Sequence, residues 1–459
     1  MSIQALLDVL DRAHTGPVCS VKDWDTKVIP GKVSEKLSEH GLKGTCTPEN
    51  PINTDDSLAD EFWHAGFELA IDVGMLCLDT ERIIKFTEEE LKEAIRNAPS
   101  EVILGEGLDK VLMKARKPED KTLPLYCAPI GIEASEDLWI PLIQGIAQHR
   151  VIDMIQGCSL KTVLGRPLRS GTPYETLAGR VQAQMHREAL WRAGRPGMCA
   201  TSVITSPTVY GQLGGYGVPG GYRTSDLALV LSPAELKTSY VSLHKVIHAI
   251  NCGGTIFAGS SSVIGGYAGP VEGSTVAMVA CALLQIAVHQ SGWGSCSVID
   301  MRYNGNCGRD AQWAISVAFQ GIARNSRLLT QSVLNQVGGP CTDMLLYESA
   351  VGMMNLSASG ISFSIGPRSA GGRYADYISP LECKFCAEVF KSSAGMKRSE
   401  VSELAKLLIP KYEDKLRNPP KGKSFTECFD LKTLRPTKEW LDIYLKVKKE
   451  LIDLGVPLE

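Results

Sequence analysis

The sequence predicts an α/β fold, a TIM-type (β/α)8 barrel with N- and C-terminal helical additions, on three observations. Short apolar runs rich in β-branched residues alternate with amphipathic stretches of helical length. Two helix-then-strand units share one grammar of capping residue, proline and glycine stop. Seven such runs recur, each separated from the next by helical sequence. Strands joined through single helices run parallel, and a parallel sheet needs both faces covered, so the choice lies between an open doubly wound sheet and a barrel. Repetition of one unit favours the closed ring.

Taken in order, residues 1–123 read as a helical N-terminal addition, in which Thr87 and Glu90 have the spacing of a capping box. Strands are predicted at 125–132 and 151–158. Thr172-Pro173-Tyr174-Glu175 starts a helix that runs to about Gly194, and Arg195-Pro196-Gly197 leads into a strand over 198–205, stopped by Ser206-Pro207. Ser232-Pro233-Ala234-Glu235 predicts a second helix, to about Ile250, followed by a Gly253-Gly254 stop and a strand over 255–258. Further strands are read at 296–303, 328–334 and 361–365, which makes seven, and the eighth is expected beyond Gly366. Residues 381–459 form a helical C-terminal addition whose last helix spans about 437–454. The whole chain, with a core over 124–380, is one barrel domain, a size that such barrels reach.

Composition narrows the partners. Charged residues are 22% and the formal net charge is -3, so there is no basic field for a nucleic-acid backbone or an anionic membrane. No apolar stretch is expected to span a bilayer, which takes roughly 20 residues, and residues 1–13 carry no signal-peptide pattern. A cytoplasmic protein with a small-molecule or protein partner is expected. Its 14 scattered cysteines read as reduced thiols.

In a barrel the chemistry sits where the strands end. The segments there are rich in glycine: 211–221, 259–269, 304–308, 338–342 and 366–372. Glycine lets backbone approach a bulky ligand, although tight turns need it too. Other constellations are set aside. His244 and His248 stand one helical turn apart without a third ligand nearby in sequence, and Cys383 and Cys386 have no second pair, so no metal site is expected. Cys158 and Cys199 lie on strand ends without a neighbouring histidine, as buried strand cysteines often do. Gly214 to Gly221 lacks the lysine of a phosphate-binding loop.

Several segments carry a family resemblance. Residues 193–198 (AGRPGM), 265–269 (GGYAG) and 339–342 (GPCT), with Ala65-Gly66-Phe67-Glu68, Asp79-Thr80, Arg82-Ile83 and Thr87-Glu88 near the start, are among them. So are Gly422-Lys423, Phe425 and Glu427-Cys428 near the end. The chain resembles the monomethylamine:corrinoid methyltransferases over nearly its whole length. The resemblance implies a barrel, a corrinoid (cobalamin) carried by a partner corrinoid protein and a homo-oligomer, with a hexamer among the sizes. It also implies a pyrrolysine whose imine binds methylamine; here that position is Thr201. The two glutamates and the glutamine around pyrrolysine fall at Leu229, Gly259 and Val333.

A threonine hydroxyl forms no amine adduct, so monomethylamine is not the expected donor. Quaternary ammonium or sulfonium compounds, which already carry the charge of a good leaving group, are expected instead. Thr201 and Ser202 are the candidate catalytic hydroxyls. Tyr210, Tyr216, Tyr267 and Tyr303 are candidate aromatic faces for a cation, each attracting it by about 0.5 to 2 kcal/mol. Gln212, Asp300, Arg302, Asn304 and Gln336 are the polar candidates, with Arg302 and Arg309 also matching the family. A noncatalytic binding or scaffold relative is the alternative, and it predicts a pocket filled by Leu229, Val333 and their neighbours, with no room beside Thr201.

Overall fold

The computed structural model describes residues 3–202 and 205–459. Eight parallel strands close a ring: β1 (Leu125–Ala128), β2 (Met154–Ile155), β3 (Cys199–Ala200), β4 (Leu227–Leu231), β5 (Thr255–Gly259), β6 (Ser297–Asp300), β7 (Thr330–Val333) and β8 (Phe363–Ile365). β1 pairs with β2 and β2 with β3. A bridge between Thr201 and Leu227 carries the ladder to β4, which pairs with β5 in register Leu229↔Phe257. The continuation of β5, Ser261–Ile264, pairs with β6, and the lead-in Gly294–Ser295 pairs with β7. β7 pairs with β8 and β8 with β1, which completes the circle.

The helices between them are α1 (Glu136–Ala147), α2 (Pro173–Arg192), α3 (Tyr210–Gly215), α4 (Tyr240–Asn251), α5 (Val271–His289), α6 (Arg309–Asn325), α7 (Asp343–Ala358) and α8 (Pro380–Ser392). The third unit has only six helical residues. That shortening hid the eighth strand, which is β4 and lies well before Gly366. β4 (LALVL) is buried except at Leu231, and an apolar run with no alternation reads equally well as buried helix or strand.

Other expectations are corrected by tertiary pairing. Residues 232–235 do not start a helix: the chain leaves β4, and Lys237–Thr238 adds a parallel strand to Met75–Cys77. α4 begins only at Tyr240, where the Ser239 hydroxyl accepts from Ser242 N. Glu235 turns inward and accepts from Val263 N at 2.8 Å. Thr172 stands at the N-cap of α2 without capping it, its hydroxyl donating to Arg169 O while Glu175 accepts from Gly171 N. The Thr87–Glu90 capping box does form. The strand predicted over 198–205 is observed over Cys199–Ala200 and continues only as the single bridge of Thr201 to Leu227, and Val203 and Ile204 lie outside the described residues.

The N-terminal addition is not purely helical. Besides helix Asp56–Val73, which packs on α5 and α6, it holds a hairpin of Glu101–Leu104 with Val111–Lys114. Leu104 and Met113 of that hairpin join Leu125, Cys127, Met154, Cys199, Leu227, Phe257, Trp293, Leu329 and Phe363 in one apolar cluster inside the ring. The hairpin therefore plugs the N-terminal end, and access is left at the other. The C-terminal addition combines helices Arg398–Leu408 and Lys438–Asp453 with a short hairpin, Phe429–Asp430 on Arg435–Pro436.

α5 corrects one further expectation. By length and composition it is apolar enough to cross a membrane, but 94% of its apolar window is buried inside the molecule. All 14 cysteines are free.

Candidate active site at the C-terminal mouth of the barrel

Inward side chains of a barrel strand alternate along it. From Leu227 the next inward position is Leu229, which with Phe257 and Val333 forms the upper edge of the interior cluster. Above them lies a cavity of about 570 Å³ at the strand ends. Leu229, Phe257, Gly259 and Val333 line it, so Leu229 and Val333 wall the space and do not fill it. Gly259 leaves room at its strand end: a Cβ there would come within 3.2 Å of Ser295 Oγ.

The rest of the wall is polar. Ser159, Ser206, Ser232, Ser260, Ser261, Ser295 and Ser297 contribute hydroxyls, with Gln156, Gln331 and Asn335 as amides. Gln331 accepts from Ser295 Oγ through Oε1, but among the described residues its Nε2 has no partner, and neither does Gln156 Oε1. Both residues are almost fully buried. Unpartnered buried amide atoms are uncommon, because each forgoes its hydration.

Two cations also face the cavity. Arg368 follows β8; its backbone N donates to Gln336 Oε1 at 3.0 Å, and Gln336 Nε2 donates to Ser349 Oγ at 2.9 Å. The Arg368 Nε is buried without an acceptor among the described residues. Burial, aided by Arg373 nearby, holds its pKa below the ordinary guanidinium value. Lys245 reaches over from α4, its ammonium making one long bond of 3.4 Å to Ser206 O. Burial pulls its pKa down to about 8, against the opposing field of Glu175. Among the described lining residues there is no aspartate, glutamate, histidine or cysteine.

The candidate residues divide sharply. Leu229, Gly259 and Val333 meet at the cavity, as the loop positions suggested. Thr201 is fully buried and does not line it; its hydroxyl has no partner among the described residues. Ser202 is spent on the ladder, its N donating to Leu227 O and its Oγ accepting from Leu229 N. Neither hydroxyl reaches the cavity, since each is covered where β3 meets β4.

The tyrosines do not gather there either. Tyr210 is exposed on α3, Tyr267 lies under Lys237, and Tyr216 is buried with its OH donating to Asp226 O. Tyr303 OH accepts from Gly308 N. Gln212 Nε2 donates to Lys245 O, which fixes the backbone of α4. Asp300 and Arg302 form an ion pair that also takes in Asp310, Asn304 takes a left-handed turn at φ 59°, and Arg309 pairs with Glu413. Gln336 acts one step away, by positioning Arg368.

Elsewhere, His248 Nε2 contacts Tyr216 O, while His244 is exposed. Cys383 and Cys386 are buried on α8. Sequence reasoning missed Lys245, Arg368, Gln156, Gln331 and Asn335. Arg368 lay inside a glycine-rich segment already marked, whereas Lys245 gave no local signal, because it enters the site from a helix.

An eight-stranded α/β barrel, plugged at one end and holding a polar cavity where the strands end, defines a barrel protein with an enzyme-type site. The particular family follows from comparison with known proteins. The family model described as Monomethylamine methyltransferase MtmB matches residues 4–456, and the chain belongs to that family.

It is 32% identical over 452 residues to Monomethylamine methyltransferase MtmB of Methanosarcina mazei, covering 98% of this chain and 97% of that one. Against MtmB1 of Methanosarcina acetivorans the identity is likewise 32% over 452 residues, with 98% and 97% covered. The crystal structure of the Methanosarcina barkeri enzyme superimposes with a TM-score of 0.94 at 31% identity, covering 98% of both chains. A hydroxylamine complex of MtmB gives the same values.

Proposed function

We propose that this protein transfers a methyl group from a small methylated compound other than monomethylamine to the cobalt of a corrinoid carried by a partner protein. The carrying observation is the cavity's chemistry, an apolar floor and, among the described lining residues, no carboxylate; the buried Thr201 takes no part in it. Monomethylamine is a small cation, and to be held and activated it needs an acid partner or a covalent handle. The lining offers neither. A methyltransferase reading is supported by membership of the family, whose relatives are named for that reaction on monomethylamine.

The partner's corrinoid supplies, when presented, the electron pair that the methyl carbon accepts. On the donor side, the C–N or C–S bond breaks with its pair left on the heteroatom, so a quaternary ammonium or sulfonium departs as a neutral amine or thioether. The chain's own residues bind and orient. Leu229, Phe257 and Val333 keep water from the methyl group, and the amides and hydroxyls above fix the rest of the donor. Small residues, Gly131, Ser159, Ser232 and Ser260, leave the mouth open to a group offered from outside. A noncatalytic scaffold has less support, because a scaffold has no need of an open cavity with unpartnered polar atoms. Assembly as a homo-oligomer, up to a hexamer, belongs to the same proposal and is read by light scattering.

The test is a spectroscopic screen of cob(I)alamin methylation with the purified protein. Quaternary ammonium, sulfonium and methylated-amine donors are compared. Transfer from a donor other than monomethylamine is expected. Transfer from monomethylamine alone overturns the proposal.

A further inference from the structure

We propose that the methyl donor carries an acidic group, a carboxylate, sulfonate or phosphate, and that Arg368 and Lys245 bind it. The inference rests on the methyltransferase reading above for the word donor, but not for the anion site itself. Its basis is a mismatch of charge. Several other buried cations among the described residues are matched. Arg195 pairs with Asp109, Lys237 with Asp25 and Lys391 with Asp153. Lys36 has three carboxylates, and Arg116 donates to four backbone carbonyls.

Arg368 and Lys245 break that pattern. Among the described residues neither forms an ion pair: Arg368 Nε is buried without a hydrogen-bond partner, and Lys245 has one long bond to Ser206 O and feels Glu175 only as a field. Both open into one cavity whose lining contains no acid. An uncompensated cation in a protein interior is unfavourable unless a ligand brings the countercharge. A guanidinium with a free Nε edge suits an oxyanion, which accepts two parallel N–H bonds, and a lysine ammonium adds a second point of attraction. The free Gln331 Nε2 offers one more donor on the same wall.

The positions of the cations are also held. Gln336 pins the Arg368 backbone, and the Gln212 amide pins that of Lys245. A donor with a methylated ammonium or sulfonium over the apolar floor and an acid on the cations would be a zwitterion. Its acid would offset the two cations, while its methylated centre would rest on the apolar floor, where no described lining residue is acidic.

The anion could instead be the phosphate of the partner's corrinoid, and the test separates the two. Calorimetry on the unaltered full chain, without corrinoid, compares betaines of increasing chain length with their methyl esters, which keep the ammonium and lose the acid. At least one acid is expected to bind tenfold or more tightly than its ester, and Arg368→Gln should abolish that preference while Arg368→Lys keeps part of it. Equal binding of acid and ester, or no binding of any acid, overturns the inference.

Methyl transfer to cobalamin and to cobinamide, which lacks the phosphate, forms the second arm. If Arg368→Gln changes only the discrimination between those acceptors, the anion is the corrinoid's and the inference fails. Methyl transfer from tetramethylammonium at the rate of the acids also sinks it, yet leaves the proposed function standing. Tight binding of an acid with no methyl transfer from it does the reverse.

Discussion

Asp109→Ala tests how the N-terminal end of the barrel is sealed. Asp109 is 7% exposed and sits at the turn of the plugging hairpin. Its Oδ1 accepts from Arg195 Nε at 2.6 Å and its Oδ2 from Gly197 N at 3.1 Å. Arg195 is 5% exposed. Without the carboxylate its guanidinium keeps only Ala147 O and Ile152 O, at 3.3 and 3.2 Å. Removing one partner of a buried pair costs about 3 to 5 kcal/mol, mostly because the other charge is stranded. Arg150 approaches Asp109 at 3.7 Å but is 73% exposed, so it adds little.

The assay is urea unfolding followed by tryptophan fluorescence, on Asp109→Ala, Arg195→Met and the double variant, at matched denaturant slopes. Asp109→Ala is expected to cost about 3 to 5 kcal/mol. The double variant should cost clearly less than the sum, since no charge is then left unpaired. A single-variant loss below about 1 kcal/mol, or strict additivity, would refute the reasoning, because the pair would then behave as a surface bridge does.

Gly179 lies within α2, where an added Cβ would stand 1.9 Å from Gly211 O of α3. Gly179→Ala should therefore cost at least about 1 to 3 kcal/mol, visible as a lower melting temperature. His289 is fully buried, its ring contacting Gln285 Oε1 and the Thr238 hydroxyl, and burial pulls its pKa down to about 3. As pH falls below the unfolded value near 6.5, the unfolded chain takes up a proton that the folded one refuses. Stability is then lost at about 1.4 kcal/mol per pH unit until the folded pKa is reached. His289→Gln should remove that share of the slope between pH 6 and about 4 in paired urea titrations. Val333→Phe should lower methyl transfer by about tenfold or more through loss of cavity space, with little change in melting temperature. An unchanged rate would place the reacting group elsewhere.

The barrel was legible because its elements carry their own signals. The 125–132, 255–258 and 361–365 runs each overlap an observed strand, Thr87 and Glu90 form the capping box their spacing indicates, and the last helix lies within the predicted 437–454. Where the reading failed, the deciding contact was distant in sequence. Ser232-Pro233-Ala234-Glu235 has helix-start composition, but pairing of Lys237–Thr238 with a strand some 160 residues earlier prevails over it. β4 was missed because the helix before it had shrunk to one and a half turns.

The site was legible only in part. Leu229, Gly259 and Val333 were reached by counting from family loops, and they line the cavity. The tyrosines were chosen for lying near strand ends, and nearness along the chain says nothing of which way a ring points. Tyr216 and Tyr303 turn into packed interior, while Tyr210 and Tyr267 face outward.

By itself the sequence determined the class of fold and the family, and it pointed to Leu229, Gly259 and Val333 as positions at the barrel mouth. Those are properties of local pattern and residue type, which survive without knowledge of any partner. Only the tertiary structure decided that Thr201 is covered and that Lys245 and Arg368, more than 120 residues apart in the chain, open unpaired into one cavity. Burial and electrostatic pairing depend on what surrounds a group in space, and in a closed ring those surroundings come from strands and helices distant in sequence.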